Sequence, residues 1–200
     1  MLRSLVGSEM CIRDSGWAVL CEKFAVGNVC YALIGAAIPL MISGGFHVDG
    51  YMDTMDAFHS YQSREKKLEI LKDSHIGAFA AIMLALYYMI DIAAISEIHT
   101  QKAVSAVAAV FFLARCFSGI AVMTLQPAKK EGLLYTFASS AQKVRVKAAL
   151  YFQAALCVAI MLLVSGWYGA AAIGAALLSF FYFKKKSYKE LGGITGDTCL

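Results

Sequence analysis

Five apolar runs, each close to the thickness of a bilayer, limit what this chain can fold into. They cover residues 24–45, 76–95, 103–125, 148–165 and 167–183. A helix needs about 20 apolar residues to cross the hydrocarbon core, and only Asn28 and Ser43 clearly interrupt the first run. With 60% hydrophobic and 16% charged residues, the chain lies outside the composition of soluble domains. The expected fold is therefore all-α: a polytopic integral membrane bundle with about five transmembrane helices. Pro39 should kink the first helix near its end. The last two runs are short and share a tight turn, Ser165-Gly166-Trp167. A re-entrant pair is the alternative there, but spanning leaves less backbone unpaired in lipid. The small residues Gly169, Ala170, Ala171, Ala172, Gly174, Ala175 and Ala176 suit close helix packing in the fifth run.

Charge sets the orientation. The segments 62–75, 126–147 and 184–190 hold four, five and four Lys or Arg residues, 13 of the 18 in the chain, whereas 96–102 and 165–167 hold only Lys102. If each run crosses once, the basic segments share one side, which the positive-inside rule makes cytoplasmic. Lys184-Lys185-Lys186 then reads as a topology anchor against lipid headgroups. The six cysteines show no CxxC pair, which argues against a zinc site and a disulfide framework. The lipid bilayer is an expected partner, and nucleic acid is not.

One stretch has a different character. Residues 43–57 place Asp49, Asp53 and Asp56 within eight positions of a chain otherwise poor in charge. In a helix, the i, i+4, i+7 spacing puts the three carboxylates on one face. They repel one another unless a cation lies among them, and hard oxygen ligands suit Mg²⁺, with Mn²⁺ as the alternative. Gly44, Gly45 and Gly50 let backbone or ligand approach closely. The competing reading is an acidic cap on a solvated helix start. His47 beside the cluster suits a phosphate donor, an orienting group or a cap. Arg115 lies well inside the third run, where a charge needs a buried partner. Facing inward, it would make a phosphate clamp. Asp91 reads as interfacial or bundle-facing, and His59 and His99 as surface residues.

Residues 1–15 have no apolar core of the kind a signal peptide carries. Ser4 to Ser15 reads as translated adapter sequence and is set aside from the fold, leaving 16–200 as one membrane-embedded catalytic domain.

The run Gly44-Gly45-Phe46-His47-Val48-Asp49-Gly50-Tyr51-Met52-Asp53-Thr54-Met55-Asp56-Ala57 resembles the signature of the cobalamin synthase family, the adenosylcobinamide-GDP ribazoletransferases. Two further stretches agree in order and spacing: Arg64 to Phe79, with Lys72-Asp73-Ser74, and Leu191-Gly192-Gly193-Ile194-Thr195-Gly196-Asp197-Thr198. A weaker match runs from Ala114 to Phe137 through the Lys129-Lys130-Glu131-Gly132 turn, and the whole resemblance covers roughly residues 17 to 200.

The resemblance implies a transferase that joins adenosylcobinamide-GDP to α-ribazole, or its 5′-phosphate, with release of GMP. It further implies Asp49, Asp53 and Asp56 as metal ligands, with Asp49, Asp53 or Asp73 taking the proton of the attacking hydroxyl. Lys72, His47 and Arg115 fall among the substrate-binding positions. Gly192, Gly193 and Gly196 would offer backbone N–H groups to phosphate, and Asp197 would complete the metal or ribose site. The family carries membrane segments before and after the matched region, so the chain is expected to be truncated at both ends. Association as a homo-oligomer or with other pathway enzymes stays open. The acidic motif also resembles that of the CDP-alcohol phosphotransferases, but their Ala-Arg continuation is missing. An ion or metal transporter would place its carboxylates at the bilayer midplane, whereas these follow the end of an apolar run.

Overall fold

The structure is a computed structural model that describes residues 16–73, 75–128 and 143–199. The readings of 1–15, of Ser74 and of the Lys129-Lys130-Glu131-Gly132 turn lie outside the described residues. After a helical stretch at 16–23 come α1 (Asn28–Ser43), α2 (Phe46–His59), α3 (Arg64–Ile70), α4 (Ala78–Ser96), α5 (Gln101–Thr124), α6 (Lys143–Ser165), α7 (Trp167–Leu191) and a 3₁₀ turn (Asp197–Cys199). The described residues are helical apart from turns and one isolated bridge, Pro127 with Ile194.

The first apolar run forms one helix, and a sharp break closes it where the run ends. Its helix stops at Ser43, and Gly44 and Gly45 follow at φ 61° and 81°. Both angles are left-handed, which favours glycine. The Gly45 N–H donates to Leu40 O at 3.1 Å, closing α1 in a wrapped cap, and α2 leaves at 96° to α1. The sharp turn therefore falls at the two glycines and not at Pro39, which stays inside α1. The 16 residues of α1 rise about 24 Å, most of a bilayer core. α2 is turned off that axis and packs along the first half of α4, where the Tyr51 hydroxyl donates to Met83 O at 3.3 Å.

Among the described residues, three helices, Ala78–Ser96, Gln101–Thr124 and Val144–Ser165, are long and apolar enough to cross a membrane, and four if the bent α1–α2 pair is one span. The expected fifth, α7, forms as one 25-residue helix, but its glycines, tyrosines and terminal lysines make it less apolar than those three. Gly166, at φ 56°, joins α6 to α7. Gly169 then lies so close to the Met161 carbonyl that a Cβ has no room, so the two helices run back along each other. Side chains such as Leu163 (86% exposed), Leu178 (74%) and Met89 (70%) face outward, as lipid-facing residues do.

Two groups of helices result. α4 packs on both α1 and α2, while α5, α6 and α7 pack together around Leu113, Cys116, Ile120, Ala154, Cys157 and Met161. At one end, Ala57 and Phe58 of α2, Leu71 after α3 and Leu191 of α7 form a separate buried cluster. That end carries the described parts of all three basic segments, because α3 lies on the end of α7 and residues 126–128 pair with Ile194.

Candidate active site

The site is built on α2. Gly45 is its N-cap, and the Asp49 N–H donates to the Gly45 carbonyl at 2.8 Å. Gly50, Thr54, Ala57 and Phe58 are buried, which fixes the rotation of the helix and leaves Asp49, Asp53 and Asp56 on the neighbouring ridge. Asp49 is exposed; Asp53 and Asp56 are half-buried. The expected i, i+4, i+7 ridge is thus present in a helix that starts where the glycines end α1.

The fourth carboxylate comes from the far end of the chain. The 3₁₀ turn packs on α2, and Asp197 acts on Asp53 together with Asp49 and Asp56. Burial first, then the charges of Asp49, Asp197 and Asp56, push the Asp53 carboxyl up from its ordinary 3.8 to about 6. Burial and like charges this close both favour the protonated form of the carboxyl.

Several contacts hold the turn in place. Gly192 ends α7 at φ 71°, and its N–H donates to Tyr188 O. Ile194 N–H donates to Gln126 O (3.0 Å) and Ala128 N–H to Ile194 O (2.8 Å). The pairing is close enough to exclude a Cβ at Gly193. Thr195 N–H donates to Thr198 Oγ1 (2.8 Å), and Thr198 N–H to Thr195 Oγ1 (3.3 Å). The glycines therefore shape the turn. The Gly192 N–H in particular is spent on the helix end and not offered to a phosphate, whereas Gly196 is exposed with open space around it.

Arg115 and His47 meet. The Arg115 guanidinium donates toward the His47 ring, 3.0 Å from Nδ1 and 3.1 Å from Nε2. The charge inside the third apolar run thus points at the residue two positions before Asp49.

Other expected positions lie elsewhere. Lys72 and Asp73 sit in the exposed connection after α3, before α4 begins at Ala78. The Asp73 carboxylate accepts from the His75 N–H (3.1 Å) and pairs with His75 Nδ1 (2.6 Å). His75 holds the Asp73 carboxyl below the usual carboxylate range. A carboxylate so engaged is a poor base for a substrate hydroxyl, and Asp73 is absent from the charges acting on Asp53. The Asp56 carboxylate fills the space that a Cβ on Gly77 would need. Gly77 is the N-cap of α4, where unpaired N–H groups favour an anion.

Two residues that sequence reasoning passed over are Lys67 and Glu190, a buried ion pair between α3 and α7. A single acid among the four lysines of 184–190 was the available signal.

The donor set suits a hard divalent cation, being all carboxylate oxygen with mutual repulsion to relieve. Among the described residues, no three His, Cys, Asp or Glu side chains converge on one point. An ion here would complete its shell with water or phosphate, as Mg²⁺ commonly does.

Comparison with known proteins adds an independent finding. A family model described as cobalamin-5-phosphate synthase matches residues 4–199. The match begins inside the segment set aside above. The adenosylcobinamide-GDP ribazoletransferase of Lachnoclostridium phytofermentans is 42% identical over 172 residues, covering 86% of this chain and 66% of that protein. Proteins of the same name from Sinorhizobium sp and Escherichia coli (strain K12 / DH10B) are each 29% identical; the chain covers 75% and 74% of their lengths, with 96% and 92% of its own residues matched. No solved structure matches.

Proposed function

The chain belongs to the cobalamin-5-phosphate synthase family, and we propose that it carries the reaction for which its relatives are named. A ribose hydroxyl of α-ribazole, or of its 5′-phosphate, attacks the diphosphate of adenosylcobinamide-GDP. The new phosphodiester forms as the bond to GMP breaks. The observation that carries this reading is the meeting of Asp197 with the carboxylate ridge of α2, next to an Arg115–His47 pair.

A diphosphate brings negative charge, so the work of the chain is to position it and stabilise that charge. Arg115 supplies fixed positive charge in planar, two-pronged form. His47 orients the guanidinium by accepting from it. Asp49, Asp53 and Asp197 would hold a Mg²⁺ or Mn²⁺ ion, which when bound neutralises phosphate oxygens. Asp49 is the exposed carboxylate of the ridge, and the oxygen it does not give to the ion would take the proton of the attacking hydroxyl. Asp56, turned to the start of α4, serves to hold the ridge. The basic end of the bundle, and with it the site, faces the cytoplasm.

The test uses a full-length family protein carrying this sequence, in lipid nanodiscs, with adenosylcobinamide-GDP and α-ribazole. Formation of the joined corrinoid with equimolar GMP, lost in EDTA and restored by Mg²⁺ or Mn²⁺, is the expected result. Robust transfer in EDTA would remove the metal from this reading, and absence of transfer under all conditions would refute the activity.

A further inference from the structure

We propose that Lys67 and Glu190 form an electrostatic latch that positions the Asp197 turn against α2, making both positioning residues for the reaction proposed above.

α3 is a seven-residue helix exposed over most of its surface, yet Lys67 is only 6% exposed. Its ammonium pairs with the Glu190 carboxylate in the last turn of α7. The other Glu190 oxygen lies 3.4 Å from Lys186 Nζ, and that nitrogen stands 5.7 Å from the centre of the Phe58 ring on α2. One turn before Lys67, the Arg64 guanidinium fills the space where a side chain on Gly192 would go. The neighbouring helices α2 and α3 and the sequence-distant end of α7 therefore meet around one largely buried carboxylate. Their apolar counterpart is the Ala57, Phe58, Leu71 and Leu191 cluster.

A buried lysine is costly unless paired, and a buried pair contributes more to geometric definition than to net stability. Glu190 at a helix C-terminus is also placed against the helix dipole, and Lys67, Lys186 and Arg64 offset that. What this arrangement defines is where α7 ends. From Glu190 to Asp197 the backbone has little freedom: the Gly192 cap, the Ile194 pairing with 126–128 and the Thr195–Thr198 bonds follow in sequence. A shift of the end of α7 relative to α3 is therefore passed to Asp197, and so to the carboxylates that would share an ion. Neither latch residue touches that ridge in the described contacts.

The experiment measures Mn²⁺ binding by electron paramagnetic resonance and hydrogen exchange of residues 193–199, on the full-length protein in nanodiscs. Lys67→Met and Glu190→Gln should each weaken Mn²⁺ binding roughly tenfold, the scale of losses on removing groups that orient ligands. They should also speed exchange in 193–199 while helix content stays unchanged. Lys67→Arg should behave as wild type, and the exchanged pair Lys67→Glu with Glu190→Lys should recover most of the loss. Wild-type Mn²⁺ binding and exchange in either folded single variant, or a swap no better than the singles, overturns the latch. If Lys67→Met does not fold, a folded, Mn²⁺-binding swap upholds the latch and an unfolded one refutes it. Normal Mn²⁺ binding by a wild-type protein that transfers nothing from adenosylcobinamide-GDP would refute the reaction and leave the latch standing.

Discussion

Asp53→Asn separates a carboxylate crowded by its neighbours, as a metal ligand would be, from one held by stabilising contacts, by the sign of its effect on stability. The Asp53 carboxyl is raised from 3.8 to about 6 by burial and by Asp49, Asp197 and Asp56. A carboxyl raised in the folded state costs stability when ionised. That cost is absent below 3.8, grows from there to about 6 and is complete above it. At about 1.4 kcal/mol per pH unit, the interval corresponds to about 3 kcal/mol. Asp53 is half-exposed, and solvent screening reduces this to on the order of 1 kcal/mol. Asn keeps the shape and removes the charge, so the metal-free variant should be more stable than wild type at pH 7.5, by about 2–4 °C in Tm for a chain of this length. The gain should shrink below pH 6 and vanish below pH 4. Mg²⁺ should raise the Tm of wild type and leave Asp53→Asn unmoved, and the variant should lose most turnover. Thermal unfolding in detergent, with EDTA or Mg²⁺ at several pH values, reads all of this. A variant that is less stable than wild type in EDTA at pH 7.5, or that turns over normally, would refute the reasoning, because a carboxylate held by favourable contacts loses stability on losing its charge.

Arg115→Lys keeps the charge but not the planar fork, and should raise KM for the diphosphate substrate about tenfold, equivalent to ~1.4 kcal/mol, in steady-state assays; unchanged kinetics would assign the residue to packing. Asp73→Asn should leave turnover within about twofold, as for an exposed substitution, because that carboxylate is engaged with His75; a large loss would return it to the catalytic set. Gly77→Ala drives a Cβ into the Asp56 carboxylate, the movable end of a half-buried side chain, and should swing that carboxylate aside with a stability change within about 0.5 kcal/mol, read as a nearly unchanged Tm. In a cysteine-free background, single cysteines at 62 and 187 should label from one side of the membrane and one at 100 from the other; opposite labelling of 62 and 187 would break the shared site.

Periodicity and composition alone determine a good deal here. The apolar runs have no soluble alternative, so helices at 78–96, 101–124 and 144–165 follow from their length. The spacing of Asp49, Asp53 and Asp56 makes a ridge as soon as the stretch is helical, and the charge inside the third run already demanded an inward partner for Arg115. Three things needed the tertiary structure. The Gly44-Gly45 break sets α2 at 96° to α1, because two left-handed residues in succession fix the direction in which the chain leaves the run, and hydropathy carries no direction. Asp73 and Asp56 are claimed by local partners, His75 and the start of α4, because connection length and helix ends decide where a carboxylate points. Lys67 is buried because α3 lies on the end of α7. No local pattern shows that, since burying a lysine depends on a carboxylate 123 residues away in sequence.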